Sequence, residues 1–337
     1  MNRMIMGWGF CVVGVLAWIV PGFAAEMGRD SLGDGPFLLV ANKHSDTLCF
    51  IDPSTYKILD TISTGPNPHE IVITPDGRYA YLSNYAPPGN TISLIDLPAR
   101  KHVRQIPTGK ATRVHGAAMA PDGKFAYFTA GQTGYVIEVD TVNHEVTRTI
   151  PTEGKISHMV LVSPDARRLY TANIVSEDVS VIDRATGRLI KKIPCGEGVE
   201  GMAFTPDGKH LWAANQTGGS ITIIDVATDE PVKTFPTADM PVRIHFTDDG
   251  ALALVPCWSE KGIVTVIDTK SLKEVKRIPV GSYAIGIELS PDGKKAFVGC
   301  EHEDGVHVID LDKMEVEAVI QTGNGPDPMM LWFPPKA

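Results

Sequence analysis

Three histidines and a glutamate stand at one position of a recurring pattern. His69, His115, His158 and Glu200 share a register that continues through Val242, Ile285 and Met329, with successive spacings of 42 to 46 residues. Imidazole nitrogens and carboxylate oxygens are the donors that transition metals take in catalytic sites, so four such side chains brought to one point would hold a single ion. Crowding them together without an ion would bury polar groups that have few partners. Apolar residues on the remaining arc would leave the coordination sphere open on one side, as Lewis-acid or water-activating chemistry requires. A His₃Glu set suits Zn, Cu, Mn, Fe or Ni without choosing among them. The alternative is a water-filled channel lined by hydrogen-bonded histidines.

A second group of residues belongs to the segments that open at Asn42, Asn84, Gly131, Asn173, Asn215, Cys257 and Cys300. His302, His44 and Tyr85 in these segments are the candidates for moving a proton. Arg113, Arg243, Trp258 and Glu301 are the candidates for touching a small-molecule substrate, since a guanidinium suits a carboxylate. Taken singly, each arginine also reads as one half of a surface ion pair. The asparagines read as turn residues. Cys257 and Cys300 hold matching places, which invites either a disulfide or a soft metal site with Met329 and His302. No nucleophile elbow, phosphate loop or paired-carboxylate motif is present. The absence of Cys-x-x-Cys-His excludes covalent c-type haem.

The elements that must carry these residues are strands. A turn of the Pro75-Asp76-Gly77 kind recurs at 121–123, 164–165, 206–208, 248–250 and 291–293, and an apolar residue followed by Asp closes an alternating run at Asp52, Asp96, Asp140, Asp183, Asp225, Asp268 and Asp310. Pro presets φ, Asp bonds its own backbone and Gly accepts positive φ, so the first signal marks hairpins. Seven copies of the second mean seven repeats of about 43 residues, each four short antiparallel strands. The expected fold is all-β, a seven-bladed propeller spanning 37–337. Residues 325–334 supply an inner strand with nothing after it, and residues 37–62 supply three strands with nothing before them. A composite N/C-terminal blade therefore closes the ring.

Ahead of the propeller, Arg3, the apolar run 10–20 and the small residues around Ala24 and Ala25 have the layout of a signal peptide at 1–25, followed by a linker at 26–36. Losing Arg3 alone takes the formal net charge from −9 to −10. Such an acidic surface disfavours nucleic acid. No later stretch is apolar enough to span a bilayer, so the mature protein is expected to be periplasmic or secreted, without a stable membrane span, and monomeric.

Segments such as Tyr81-Leu82-Ser83-Asn84, Tyr170-Thr171-Ala172-Asn173 and Val179-Ser180-Val181-Ile182-Asp183 carry a further signal. They resemble the YVTN family of β-propeller repeats, which is similar in turn to the propeller of haem-containing nitrite reductase and to bacterial lactonase propellers. The resemblance implies the fold and leaves function to the site. Two functions are expected from it. One is a metal-dependent lyase or lactonase-like hydrolase acting on a small acidic substrate. The other is a non-catalytic metal- or cofactor-binding propeller serving a periplasmic redox system.

Overall fold

The computed structural model describes residues 35–336, so the expected leader and most of the linker lie outside the described residues. Those described form seven four-stranded antiparallel sheets arranged in a ring, with no helix among them. Blade 1 joins the chain ends: Pro326–Trp332 pairs with Phe37–Asn42, which continues through Thr47–Ile51 to Ile58–Ser63. The Trp332 indole donates to the Gly77 carbonyl at 2.7 Å, clasping the last strand to blade 2. The inner strands of blades 2 to 5 are Pro68–Ile73, Val114–Met119, Ser157–Val162 and Val199–Phe204. Those of blades 6 and 7 are His245–Phe246 and Ala284–Leu289.

Burial follows position in the blade. The second strands, such as Tyr79–Asn84 and Arg168–Asn173, are buried along nearly their whole length, because neighbouring blades cover both faces. The outermost strands, such as Lys101–Pro107, alternate or face solvent. Tyr81, Tyr127 and Tyr170 are fully buried at equivalent places, and each hydroxyl meets a residue of the following blade. Tyr81 meets His144 Nδ1 at 2.5 Å, Tyr127 accepts from Arg184 at 2.8 Å, and Tyr170 donates to Asp229 at 2.7 Å. A buried hydrogen bond to a charged partner, as for Tyr127 and Tyr170, stabilises by roughly 1.5–3 kcal/mol and one to a neutral imidazole, as for Tyr81, by roughly 1 kcal/mol, so these contacts hold adjacent blades in fixed relation.

The repeated aspartates act as turn anchors. Asp52, Asp140, Asp225 and Asp268 each accept a backbone N–H two or three residues ahead at 2.7–2.9 Å. The asparagines at the ends of the second strands are fully buried and brace their own blades. Asn173 donates to Asp178 and Ser180 at 2.7 and 2.8 Å and accepts from Ser157.

One irregularity shapes the channel. In six blades the inner strand carries a bulge, so two consecutive residues face one residue of the second strand, and in blade 6 the stretch between the Pro241–Cys257 bridge and the His245–Leu254 pair likewise holds one residue more on the inner side. Two residues ahead of the first bulged position, the backbone is left-handed in all seven blades: Asn67, Arg113, Ile156, Gly198, Met240, Tyr283 and Gly325 have φ between 53° and 71°. Ile156, β-branched, is strained by this conformation. The register corrects the last member of the ring. Pro326 pairs with Asn42 as Pro68 pairs with Asn84, so Asp327, not Met329, is the counterpart of His69. Met329 lies two residues further on and packs in the blade core with Leu38, Val40 and Cys49.

Candidate functional site at the channel mouth

The bulges bring His69, His115, His158, Glu200 and Asp327 into one chain of contacts. The His69 and His115 rings lie 4.3 Å apart between centroids, and those of His115 and His158 lie 3.7 Å apart. His158 Nδ1 is 3.6 Å from Glu200 Oε1, and His69 Nε2 is 3.9 Å from Asp327 Oδ2. His69 Nδ1 is held by Asn67 at 3.1 Å. The Nδ1 atoms of His115 and His158 are buried with no hydrogen-bond partner.

The second bulged residue adds charge. In blade 2 it is Glu70 and in blade 6 it is Arg243. Arg243 reaches across the channel, giving Nη1 to Glu200 Oε1 at 2.8 Å and Nη2 to Glu70 Oε1 at 2.6 Å. Gln216 occupies the other oxygen of Glu200 at 3.4 Å. On the far side, Lys43 Nζ lies 3.0 Å from both Asp327 Oδ2 and Glu301 Oε1.

Burial governs the protonation of this cluster. It holds all three imidazoles well below the ordinary histidine value, helped by the neighbouring cations and, for His115, by the adjacent imidazoles. They are neutral, with lone pairs available. Burial pushes Glu200 and Glu70 up to about 7 against the pull of Arg243. Arg243, although burial opposes its charge, is held more firmly protonated than an ordinary guanidinium by Glu70, Glu200 and Asp327.

Other expected residues lie on the rim. Tyr85 stacks on His69 at 4.7 Å and meets His115 edge-on at 5.4 Å. The Arg113 guanidinium lies 4.6 Å over the Tyr85 ring and has no carboxylate partner among the described residues. Tyr85, Arg113, His115, Gln132, Ile156 and His158 line a well of about 260 Å³. Opposite, Trp258 donates to Glu301 at 3.0 Å and packs on Tyr283, which packs on His302 at 3.9 Å. His44 is half exposed, 3.4 Å from Glu301. Arg243, expected to meet a ligand carboxylate, has its guanidinium engaged by two carboxylates of the protein itself.

Two expectations about metals and sulfur need revision. Among the described residues, no group of three or more His, Cys, Asp or Glu side chains is arranged to take a bare ion. The guanidinium of Arg243 sits where a cation would meet Glu200, and two of the imidazoles pack against each other. The Cys257–Cys300 disulfide is absent, since both are free. Each sulfur turns into its own blade, Cys257 toward Thr265 at 3.6 Å and Cys300 toward the Val298 carbonyl. Burial pushes these thiols up to about 11 and about 12, which leaves them unreactive.

A model of the cytochrome D1 heme domain matches residues 125–249 and 215–328, which together span more than half of the chain. The chain belongs to the cytochrome D1 heme domain family. Solved structures share its fold. Hydrazine synthase of Kuenenia stuttgartiensis is 22% identical with a TM-score of 0.70, over 77% of this chain and 88% of that one. A functionally unknown protein from Desulfotomaculum acetoxidans DSM 771 is 19% identical with a TM-score of 0.76, over 88% and 99%. Dihydro-heme d1 dehydrogenase NirN, in complex with DHE, is 18% identical with a TM-score of 0.64, over 87% and 74%. Among curated proteins none matches.

For this member of the cytochrome D1 heme domain family, sequence reasoning missed Lys43, Glu70, Tyr283 and Asp327. Asp327 was within reach: aligning Gly325-Pro326 with Asn67-Pro68 puts it opposite His69, whereas aligning Gly325 with Gly65 shifts the strand by two residues. Glu70 and Arg243 carry no such signal. Simple strand alternation turns only one of two neighbouring residues toward the channel, and only the bulge turns both.

Proposed function

We propose that this protein holds an iron tetrapyrrole of the d1-haem type at the channel mouth, without covalent attachment, and serves a redox system as a cofactor-carrying or cofactor-handling propeller. The observation that carries this reading is the floor of the 260 Å³ well. There, two neutral, buried imidazoles with unpartnered Nδ1 atoms lie beside a guanidinium that lacks a carboxylate. That donor set fits such a group: His115 or His158 would offer a nitrogen to iron, and Arg113 would pair with a peripheral carboxylate. When bound, the group would supply one-electron chemistry. Tyr85 would support a flat face, with Trp258, Tyr283 and His302 on the opposite rim, while the Glu70–Arg243–Glu200 bridge would close the channel below against water.

The family's description and the dehydrogenase relative's name both refer to d1 heme, which supports the choice of cofactor. Export behind the 1–25 leader would place the protein in the periplasm, and no helix of the described residues is long and apolar enough to cross a membrane. A lyase or lactonase built on a bare divalent ion has less support, because Arg243 already occupies Glu200.

Titration of the purified protein with ferric protoporphyrin IX should give a saturable red shift of the Soret band at one equivalent. Arg113→Ala should weaken this binding by about 10-fold or more, the scale of a charge-assisted hydrogen bond, and leave binding of the dimethyl ester unchanged. A wild-type protein that produces no Soret change would overturn the reading. Equal weakening of acid and ester would assign Arg113 a role in folding alone.

A further inference from the structure

Three carboxylates and three neutral imidazoles converge at the mouth, and they are donors suited to a divalent ion. Arg243 stands among them as the second bulged residue of blade 6. It contributes no metal-binding atom, yet contacts Glu200 and Glu70 from blades that lie far apart in sequence. Both oxygens of Glu200 are engaged, one by Arg243 and the other by Gln216. Lys43 stands in the same relation to Asp327.

We propose that Arg243 is a built-in counter-cation that keeps free divalent ions out of a cluster whose donor types, once the guanidinium is removed, are free to close on one. A buried guanidinium repels a second cation in the same low-dielectric space and removes the carboxylates that would neutralise it. Iron already chelated in a macrocycle brings its own equatorial nitrogens and needs only an imidazole, so the guanidinium does not obstruct it. That last step rests on the function proposed above, whereas the exclusion of free ions rests on the geometry alone. Arg243 is therefore a specificity residue: it reserves His69, His115 and His158 for a metal that arrives in complexed form.

Cobalt(II) provides the test, because its visible absorption reports imidazole and carboxylate coordination. The wild type should show no protein-bound cobalt spectrum up to millimolar Co²⁺. Arg243→Met should bind Co²⁺ at least ~100-fold more tightly, and adding His158→Ala to that variant should abolish the gain. Arg243→Lys keeps the charge and should still exclude the ion. If Arg243→Met fails to fold because two carboxylates are left facing each other, the Glu70→Gln/Arg243→Met double variant relieves that repulsion and takes its place. Tight Co²⁺ binding at these histidines in the wild type would overturn the proposal, as would a folded variant that gains none. Failure of the wild type to bind ferric protoporphyrin IX, with the cobalt result intact, would sink the cofactor reading and leave the exclusion standing.

Discussion

Glu288 shows, away from the mouth, what burial does to single ionisable residues in this propeller. It lies on the inner strand of blade 7, 3.8 Å from the ring of His245, and burial pushes its carboxyl up to about 7. The folded protein therefore keeps a proton that the unfolded chain releases near the ordinary carboxylate value. The contribution of this proton to stability is complete below about pH 4.5 and is lost as pH rises through about 7. Glu288→Gln, which is permanently neutral, should thus stabilise the protein above pH 7 by up to roughly 3 kcal/mol, and not at all below pH 4.5. Thermal or urea melts across that range check this, and a pH-independent difference would contradict it. At this scale the sequence was partly legible. Equal spacing brought the three histidines and Glu200 into one register, because each stands the same distance ahead of the Pro-Asp turn in its blade. The ionic partners were not legible, because Glu70 and Arg243 reach the channel through a backbone irregularity.

That irregularity depends on what the strand leaves out. In blades 3, 5 and 7 the second bulged residue is glycine, and each glycine lies against the carbonyl of the next blade's ring residue. A Cβ on Gly116 would lie 2.4 Å from the His158 oxygen, on Gly201 2.0 Å from that of Val242, and on Gly286 1.7 Å from that of Asp327. The absence of a side chain lets adjacent inner strands close up and sets where the neighbouring ring residue stands. The Thr129 hydroxyl holds the same His158 oxygen at 2.6 Å. Gly116→Ala should therefore push His158 away from His115. The expected cost is about 1–3 kcal/mol of stability, together with weaker ferric protoporphyrin IX binding. An alanine variant with wild-type melting and wild-type affinity would show that the strand tolerates the methyl and that the glycine does not set the site. Strand positions were readable from alternation and turn residues, whereas bulges were not, because the one-residue phase shift falls near the start of a six-residue strand such as Pro68–Ile73 and leaves too few positions to reveal it.

Across the whole molecule, a short unit repeated seven times made the architecture readable. Each blade carries its repeated turn aspartate, four add a buried asparagine at the end of the second strand, and the ends complement each other, so even the composite blade followed from the sequence. Repetition says little about function. It supplies equivalent positions, and function lies in where the equivalence breaks, with histidines in blades 2 to 4, carboxylates in blades 1 and 5, and an arginine reaching across from blade 6. Those breaks gather three neutral imidazoles at the mouth and set the Glu70–Arg243–Glu200 ion pairs beside them. The central claim is that the imidazole surface carries an iron tetrapyrrole. Its most direct test is the absorption spectrum and iron content of the full-length chain purified from a host that supplies the cofactor. The wild type should carry one tetrapyrrole iron per chain, and the His115→Ala/His158→Ala double variant should carry none while keeping its β-sheet spectrum. A wild type isolated without tetrapyrrole, or a double variant that retains it with an unchanged Soret band, would contradict the account.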